Sequence, residues 1–207
     1  EPGCDRKTLE DWAKAGAING THIWVQINHP GKQSPGFLSE EPVAPSAIPL
    51  KAFLHRAFKI PRALTEDEIY DIISRFAFVA KTSKQSGFTG VQIHGAHGYL
   101  ISQFLSPHHN QRKDQWGGSL QNRMRFVLEI YDAIRKEVGS TFPVGIKLNS
   151  ADFQRGGFTQ EESMEVVQAL SEKGMDLIEI SGGSYEAPAM MGANKSTSDR
   201  EAYFLDY

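Results

Sequence analysis

The chain has 207 residues, of which 40% are hydrophobic and 23% are charged. This is an ordinary globular composition, and the length is sufficient for one domain with a sizeable core. The formal net charge of -3 leaves no basic excess to neutralise phosphates, so the composition argues against a nucleic-acid partner and favours a small molecule. The single cysteine, Cys4, can form neither an internal disulfide nor a cysteine-based metal site, which favours a reducing compartment such as the cytoplasm.

The apolar runs and the chain ends lead to one expectation about membranes and one about the extent of the chain. No apolar run approaches the ~20 residues needed to cross a bilayer, so we expect no membrane partner. The chain begins at Glu1, without a methionine, and stops at Tyr207 after residues 204–206, which look helical. We therefore expect these residues to be an internal part of a longer chain.

Four stretches of the sequence predict helices. The first is short and follows Thr8. The second and fourth begin with capping boxes at Thr65 and Thr159, in which a hydroxyl and a carboxylate three residues later satisfy free backbone amides. The third runs from about Ser119 to Val138, with apolar residues at helical spacing.

Four short runs alternate with these helices and predict strands. They are Thr21 to Ile27, Thr89 to His94, Val144 to Asn149, and Asp176 to Ser181. Strands that alternate with helices form right-handed βαβ units and a parallel sheet. The fold class predicted is therefore α/β, with all of residues 1–207 in one domain.

The four strands differ from ordinary parallel strands in having one polar face. Side chains alternate along a strand, so Gln26 points away from Val25 and Ile27, and Lys147 points away from Ile146 and Leu148. The helices require the apolar face, and in a closed barrel the polar face lines the lumen, which opens onto the catalytic rim. Buried polar groups are costly unless paired, which favours a polar ligand. A lumen filled by internal hydrogen bonds is the alternative.

The segment 30–61 contains six prolines and separates a strand from a helix. It is too long for a routine connection between a strand and a helix. Excursions of this kind at the carboxyl ends of strands commonly act as lids or binding loops. We therefore expect segment 30–61 to be a proline-rich loop on the catalytic rim.

The densest polar motif is His94-Gly-Ala-His97-Gly-Tyr99, placed at the end of a predicted strand. Two imidazoles there can donate hydrogen bonds to one oxygen, and the tyrosine can supply a proton, while the glycines suit a tight turn. Two alternatives remain open, namely a metal site and purely structural histidines. The metal reading lacks accompanying Asp or Cys at ligand spacing and the Glu of a His-Glu-x-x-His motif.

An extended set of motifs resembles one known family. The segment 94–126, which includes His108-His-Asn, Arg112-Lys-Asp-Gln-Trp-Gly-Gly and Asn122-Arg-Met-Arg, resembles the signature of the old yellow enzyme family of NAD(P)H:flavin oxidoreductases. The similarity extends to residues 24–33, 61–66, 144–149 and 156–158, and covers the chain from about Trp12 to Ser184. The resemblance implies an incomplete (β/α)₈ TIM barrel with about four βα units similar to strands three to six.

The resemblance also implies cofactors and residue roles. Members of the family bind FMN, which NAD(P)H reduces and which passes hydride to an activated alkene, such as an α,β-unsaturated carbonyl, or another acceptor. By position, His94 and His97 resemble the pair that holds the substrate carbonyl oxygen, and Tyr99 resembles the proton donor to the α-carbon. Gln26 resembles the residue that hydrogen-bonds the flavin pyrimidine edge. Lys147 matches the cation near flavin N1 and O2, where it stabilises an anionic reduced ring.

The resemblance does not extend to the first two and last two strands of the barrel. The loops after the last two strands normally hold the flavin phosphate. We therefore predict that these 207 residues alone have little flavin affinity and little activity, and an oligomer is possible. Two other functions remain open at this point: a metal-dependent TIM-barrel hydrolase that uses His94 and His97 as ligands, and a non-catalytic fragment. An iron-sulfur or second domain beyond Tyr207 is also compatible with the sequence.

Overall fold

The computed structural model describes residues 5–187 and residue 207. The elements in chain order are α1 (Arg6–Gly16), β1 (Trp24–Ile27), β2 (Val43–Ala44), β3 (Arg62–Ala63), α2 (Glu66–Gln85), β4 (Gly90–Gly95), α3 (Leu100–Leu105), α4 (Leu120–Val138), β5 (Val144–Asn149), α5 (Gln160–Glu172) and β6 (Leu177–Ser181). Strands β1, β4, β5 and β6 pair in that order, all parallel, and β2 pairs with β3. The predicted parallel sheet is confirmed. Cys4 and the helix expected at residues 204–206 lie outside the described residues.

The helices begin largely where their capping residues predict. Thr65 and Thr159 both form the complete capping box, and Ser119 accepts a hydrogen bond from the Asn122 backbone at the start of α4. The prediction for α1 was late by about one turn. The Asp5 carboxylate accepts the Lys7 backbone amide and caps the helix before Thr8 is reached.

Three strands begin later than predicted: β1 at Trp24, β4 at Gly90 rather than Thr89, and β6 at Leu177. At two of these starts, side-chain hydrogen bonds join the backbone bonds. At the start of β1 the Thr89 hydroxyl contacts both the amide and the carbonyl of Ile23, at 2.8 and 3.0 Å. At the start of β6 the Asp176 carboxylate accepts the Val144 amide at 2.8 Å. The regular ladder starts at Trp24 and at Leu177 rather than at Thr21 and Asp176.

One face of the sheet is apolar and supplies the core. Ile27, Ile93, Ile146 and Ile178 are neighbours across the four strands, and the first three are at least 95% buried. They pack with apolar side chains of α2 and α4, among them Ile69, Ile73, Phe76, Phe126, Ile130 and Ile134. Ile178 is only half-buried because β6 is an edge strand of the sheet. The helices thus cover the face that the alternation of side chains predicts.

The other face is polar, and its amino-terminal end is closed by Trp24. A side chain on Gly90 would come within 2.4 Å of the Trp24 ring, and one on Gly145 within 3.0 Å. These two glycines therefore allow the indole to lie flat across the neighbouring strands. The polar residues of the face lie towards the carboxyl ends of the strands.

The proline-rich segment 30–61 is anchored rather than extended. Its strand β2 pairs with β3, and short 3₁₀ turns occupy residues 31–33 and 52–54. Lys32 and Gln33 are buried, whereas Phe37 is 86% exposed. The segment is therefore fixed at its base and exposed at its tip.

Within residues 5–187 and 207, no helix combines the length and the apolar character needed to cross a membrane.

Candidate active site

A continuous chain of polar side chains crosses the polar face of the sheet. The Gln26 amide donates to Gln92 at 2.6 Å, and the Gln92 amide donates to Glu179 at 2.8 Å. The other oxygen of Glu179 lies 2.8 Å from the Lys147 ammonium. Lys147 and Glu179 thus form a salt bridge between β5 and β6. All four strands contribute one member to this chain.

The strand register adds His94 to the same face. His94 pairs with Lys147, and Lys147 pairs with Glu179, one pleat beyond the pair formed by Gln26 and Gln92. Side chains two residues apart on a strand share a face. The structure therefore brings Gln26, His94 and Lys147 to one side of the sheet, near the carboxyl ends of the strands.

The turn after β4 positions His97 through an unusual backbone. His97 and Gly98 both adopt left-handed conformations, with φ of 61° and 76°. The Asn149 side chain accepts the His97 amide at 3.1 Å, and Gln33 donates to the His97 carbonyl at 3.0 Å. A side chain on Gly98 would lie 2.7 Å from Gln33 Oε1. Gly98 thus supports the turn as predicted, while His97 takes the left-handed backbone that would suit a second glycine.

The three predicted catalytic side chains meet above this turn. The ring centres of His94 and His97 are 5.1 Å apart, and those of His94 and Tyr99 are 4.9 Å apart. His94 Nδ1 accepts the Ala96 amide at 3.3 Å, so the neutral ring carries its proton on Nε2. His97 Nε2 lies 2.6 Å from the Ser181 hydroxyl.

The electrostatic environment favours neutral imidazoles and a protonated phenol. Burial, together with the nearby His97 and Lys147, lowers the pKa of His94 to about 4, against an opposing effect of Glu179. Burial and Lys147 also lower the pKa of His97. Burial, with a contribution from Tyr185, raises the pKa of Tyr99 to about 12. At neutral pH the two rings can donate hydrogen bonds without carrying charge, and Tyr99 retains a transferable proton.

The residues of the polar face fit a flat heterocycle with alternating donors and acceptors. Gln26 is exposed and its amide can both donate and accept, as the pyrimidine edge of a flavin requires. Lys147 supplies a cation whose side chain is 22% exposed, and its partner Glu179 is 45% exposed. The pair is thus accessible to a ligand, and Gln26 and Lys147 are the residues that could hold a flavin ring.

Two residues of the site escaped the sequence analysis. Asn149 is 1% exposed and holds the His97 turn, and the hydroxyl of Tyr185 lies 2.9 Å from that of Tyr99. Tyr185 follows Gly182 and Gly183 directly after β6. Paired glycines at the end of a strand on the same rim were the available signal, since they indicate a close turn beside the site.

The polar run from Arg112 to Arg123 makes contacts within the protein. Arg112 donates to the carbonyls of Pro45 and Leu64 at 3.0 and 2.6 Å and pairs with Asp114. Arg123 donates to the carbonyl of Leu105 and forms an ion pair with Glu162. These bonds fix the approach to α4 and leave the guanidinium groups engaged within the protein.

The metal interpretation receives no support from the described part of the chain. Within residues 5–187 and 207, no three His, Cys, Asp or Glu side chains converge as a metal site would require.

Comparison with known proteins identifies the family. Residues 6–203 match the family model described as NADH:flavin oxidoreductase / NADH oxidase, and the chain belongs to this family. An NADH-dependent flavin oxidoreductase of Aspergillus parasiticus is 45% identical over 197 residues, which cover 94% of this chain and 44% of that protein. Membership in this family does not favour the hydrolase alternative.

Solved structures give the fold. A 2-naphthoyl-CoA reductase superposes with a TM-score of 0.85 and 34% identity, covering 90% of this chain and 30% of the other. An old yellow enzyme homologue from Zymomonas mobilis gives 0.76 and 25%, covering 87% and 53%. The four-stranded sheet is thus part of a TIM barrel of the old yellow enzyme type, as predicted. The chain spans about half the length of these relatives, or less.

Proposed function

We propose that the full-length protein is an FMN-dependent oxidoreductase that takes hydride from NAD(P)H and reduces an activated alkene, such as an α,β-unsaturated carbonyl compound. The observation that carries the proposal is the convergence of His94, His97 and Tyr99 beside the polar face that holds Gln26 and Lys147. Two neutral donors, one protonated phenol and one cation lie together on one side of the sheet. Family membership supports the same chemistry.

Gln26 and Lys147 are proposed to bind the flavin ring. When bound, FMN supplies the two-electron chemistry that links nicotinamide oxidation to substrate reduction. The Gln26 amide would hydrogen-bond the pyrimidine edge of the ring, and the Lys147 ammonium would stabilise negative charge on the reduced ring. Glu179 holds the ammonium in place at 2.8 Å and balances its charge while the site is open to solvent.

His94, His97 and Tyr99 are proposed to act on the substrate. His94 donates from Nε2 to the carbonyl oxygen, and with the Ser181 hydroxyl as donor to Nε2 of His97, the His97 proton lies on Nδ1. Fixed donors stabilise negative charge that develops on the oxygen as the β-carbon accepts hydride. Tyr99 then delivers its proton to the α-carbon. Its pKa of about 12 keeps the phenol protonated until that step.

Four broader features belong to the same proposal. Residues 1–207 form one partial barrel domain, in which segment 30–61 lies on the catalytic rim. The single cysteine and the use of NAD(P)H favour the cytoplasm. An oligomer is compatible with this assignment.

The test is a spectral titration of the full-length protein with a simple phenol. A phenolate held by His94 and stacked on the flavin should produce a long-wavelength charge-transfer band. His94→Ala should weaken phenol binding at least about tenfold, the equivalent of about 1.4 kcal/mol for a lost charge-assisted hydrogen bond. The matched control His108→Ala removes an imidazole outside this cluster and should retain the band. Full-length protein that lacks flavin absorbance, or a band unaffected by His94→Ala, would contradict the proposal.

A further inference from the structure

A buried ionic cluster lies beside the active site and is not used by the proposed chemistry. The Lys32 ammonium is 3.5 Å from Glu186 Oε2, and the two side chains are 2% and 3% exposed. The same ammonium lies 3.0 Å from Nδ1 of His109, whose Nε2 is 3.5 Å from the same Glu186 oxygen. Lys32, His109 and Glu186 therefore form a closed triangle inside the protein, referred to below as the buried triad.

The protonation of the triad follows from its geometry and burial. Burial and the neighbouring Lys32 lower the pKa of His109 well below its usual value, so the imidazole is neutral. Its Nδ1 then accepts from the ammonium, and its Nε2 lies 3.5 Å from Glu186 Oε2, which makes no hydrogen bond with the described residues. Burial lowers the pKa of Lys32, and the charge of Glu186 opposes this effect. A neutral imidazole thus lies between the amine of Lys32 and the carboxyl group of Glu186.

Stability alone is a weak reason to bury such a pair. Removing two charges from water is costly, and replacing a buried ion pair by apolar residues of similar volume is often neutral or stabilising. Charged partners with fixed hydrogen-bond directions do, however, define one geometry. A role in positioning neighbouring groups is therefore the more informative explanation, and the contacts of Glu186 show which groups these are.

Glu186 is held by segment 30–61 at two further points. Its Oε1 accepts the backbone amide of Lys51 at 2.9 Å, and its backbone carbonyl accepts the Lys51 ammonium at 2.9 Å. Its own amide donates to Ser184 Oγ at 3.3 Å. Both the side chain and the backbone at residue 186 are thus fixed by the segment that crosses the rim.

The residue fixed next to Glu186 is Tyr185, which touches the proposed proton donor. The hydroxyls of Tyr185 and Tyr99 are 2.9 Å apart, and their ring centres are 6.1 Å apart. On its other side the Tyr185 ring packs against Phe58 of segment 30–61, with ring centres 5.9 Å apart. The position of the Tyr99 hydroxyl is therefore defined partly by a turn that the rim segment holds.

We propose that Glu186 is a positioning residue: through the buried triad and Lys51 it fixes the turn after β6, so that Tyr185 holds the phenol of Tyr99 in place for proton transfer. This inference rests on the proposed function, because it assigns Tyr99 the role of proton donor. It also gives segment 30–61 a function that requires no contact with substrate, since the segment supplies Lys32, Lys51 and Phe58 to the support of the turn.

The test compares two electron acceptors in the full-length, flavin-loaded protein. Cyclohexenone requires a proton on carbon, whereas ferricyanide accepts electrons alone. Glu186→Gln retains the oxygen that accepts the Lys51 amide but removes the charge opposite Lys32. We expect kcat with cyclohexenone to fall at least about tenfold, with KM changed by less than about threefold, while the ferricyanide rate stays within about twofold.

The matched control is Glu162→Gln, which removes the carboxylate of another ion pair, that with Arg123 on α4. This pair does not include the turn after β6. Glu162→Gln should lower the midpoint of thermal unfolding but leave the ratio of the two acceptor rates as in the wild type. A parallel fall of both rates in Glu186→Gln, or no fall at all, would overturn the inference.

A double-mutant comparison identifies the route by which Glu186 acts. Tyr185→Phe removes the hydroxyl that meets Tyr99 and retains the ring that packs against Phe58. If Glu186 acts through that hydroxyl, the combined variant should lose no more cyclohexenone activity than Tyr185→Phe alone. Losses that multiply would show that Glu186 does not act through Tyr185 and would refute the inference.

Two further variants keep the inference falsifiable. If Glu186→Gln fails to fold, the pair Lys32→Met with Glu186→Gln removes both charges together and should restore folding while retaining the selective loss. If full activity returns with the folded pair, the triad has no positioning role.

Tyr99→Phe separates this inference from the proposed function. A selective cyclohexenone loss in Tyr99→Phe without one in Glu186→Gln rejects only the positioning role, and no selective loss in Tyr99→Phe rejects the proton-donor assignment.

Discussion

Two polar motifs that lie close together in the chain have opposite uses. The turn from His94 to Tyr99 and the run from Arg112 to Arg123 are both rich in polar residues, and both carry the family resemblance. Among residues 5–187 and 207, no side chain or backbone group uses the second ring nitrogen of His94, and the Tyr99 hydroxyl contacts only that of Tyr185. In the run, the guanidinium groups bind backbone carbonyls and carboxylates.

The difference lies in what each motif can still bind. A planar guanidinium presents five donors in a fixed fork, and Arg112 and Arg123 direct theirs at acceptors within the protein. The two imidazoles instead retain capacity at the end of the polar sheet face. A dense run of polar residues can therefore be either a binding motif or a structural one. The two are distinguished by whether the side chains still have donors and acceptors that no other part of the protein uses.

The largest effect is expected from removing one oxygen in the turn. Tyr99→Phe should reduce turnover with cyclohexenone about 10²–10⁴-fold, because positioned general acids contribute that much to proton transfer. Stopped-flow oxidation of the reduced full-length protein would measure it. The free energy of unfolding should change by no more than about 1 kcal/mol, since a single hydrogen bond is lost. A large loss of stability in Tyr99→Phe would show that Tyr99 has a structural role, as the residues from Arg112 to Arg123 do.

A smaller effect, on stability alone, is expected from the run. Arg123→Ala leaves Glu162 and the carbonyls of Leu105 and Gly118 without their guanidinium partner. The free energy of unfolding should fall by about 3 kcal/mol, as when one member of a buried ion pair is removed. Chemical denaturation would show it. Arg125→Ala, an arginine on the same helix with an exposed contact, should change stability by less than about 1 kcal/mol. A tenfold fall in the turnover of folded Arg123→Ala would contradict the view that this run affects stability alone.

The smallest effect is the pH dependence of stability. The folded pKa of His94, about 4, lies below the unfolded value of 6.5, so acid favours the unfolded chain. The stabilisation is complete above about pH 6.5 and is lost as the pH falls towards 4. Between about pH 7 and about pH 5.5, the free energy of unfolding of His94→Gln should fall by about 1 kcal/mol less than that of the wild type, because the unfolded histidine takes up less than one proton over this range. Glu162→Gln, which retains every histidine, should follow the wild-type slope.

The elements of the fold could be predicted because their signals are local. A capping box satisfies amides within one turn, so Thr65 and Thr159 define helix starts without tertiary information. The errors lay at the strand starts, where the ladder depends on the neighbouring strand. The Thr89 and Asp176 side chains bond the residues opposite them, Ile23 and Val144, and no pattern within one strand encodes these contacts.

The candidate site could be predicted in part for the same reason. Strand alternation places Gln26, His94 and Lys147 on one face once the register is known, and the His94 motif marks the rim. The roles assigned to these residues stay predictions. The contacts of Asn149, Tyr185 and the buried triad could not be predicted, even where paired glycines marked a turn, because they join residues separated by 52 to 154 positions in the chain.

The sequence alone determined the alternation of strands and helices, the polar face of the sheet and the family resemblance, because each depends on spacing along the chain. Which polar groups remain available to a ligand depends on the tertiary structure. Availability depends on whether a partner arrives from a distant segment, as Glu186 does for Lys32 and Glu162 for Arg123. Hydrogen-bond partners need to be close in the folded structure but not in the sequence, so sequence spacing does not predict which groups become paired.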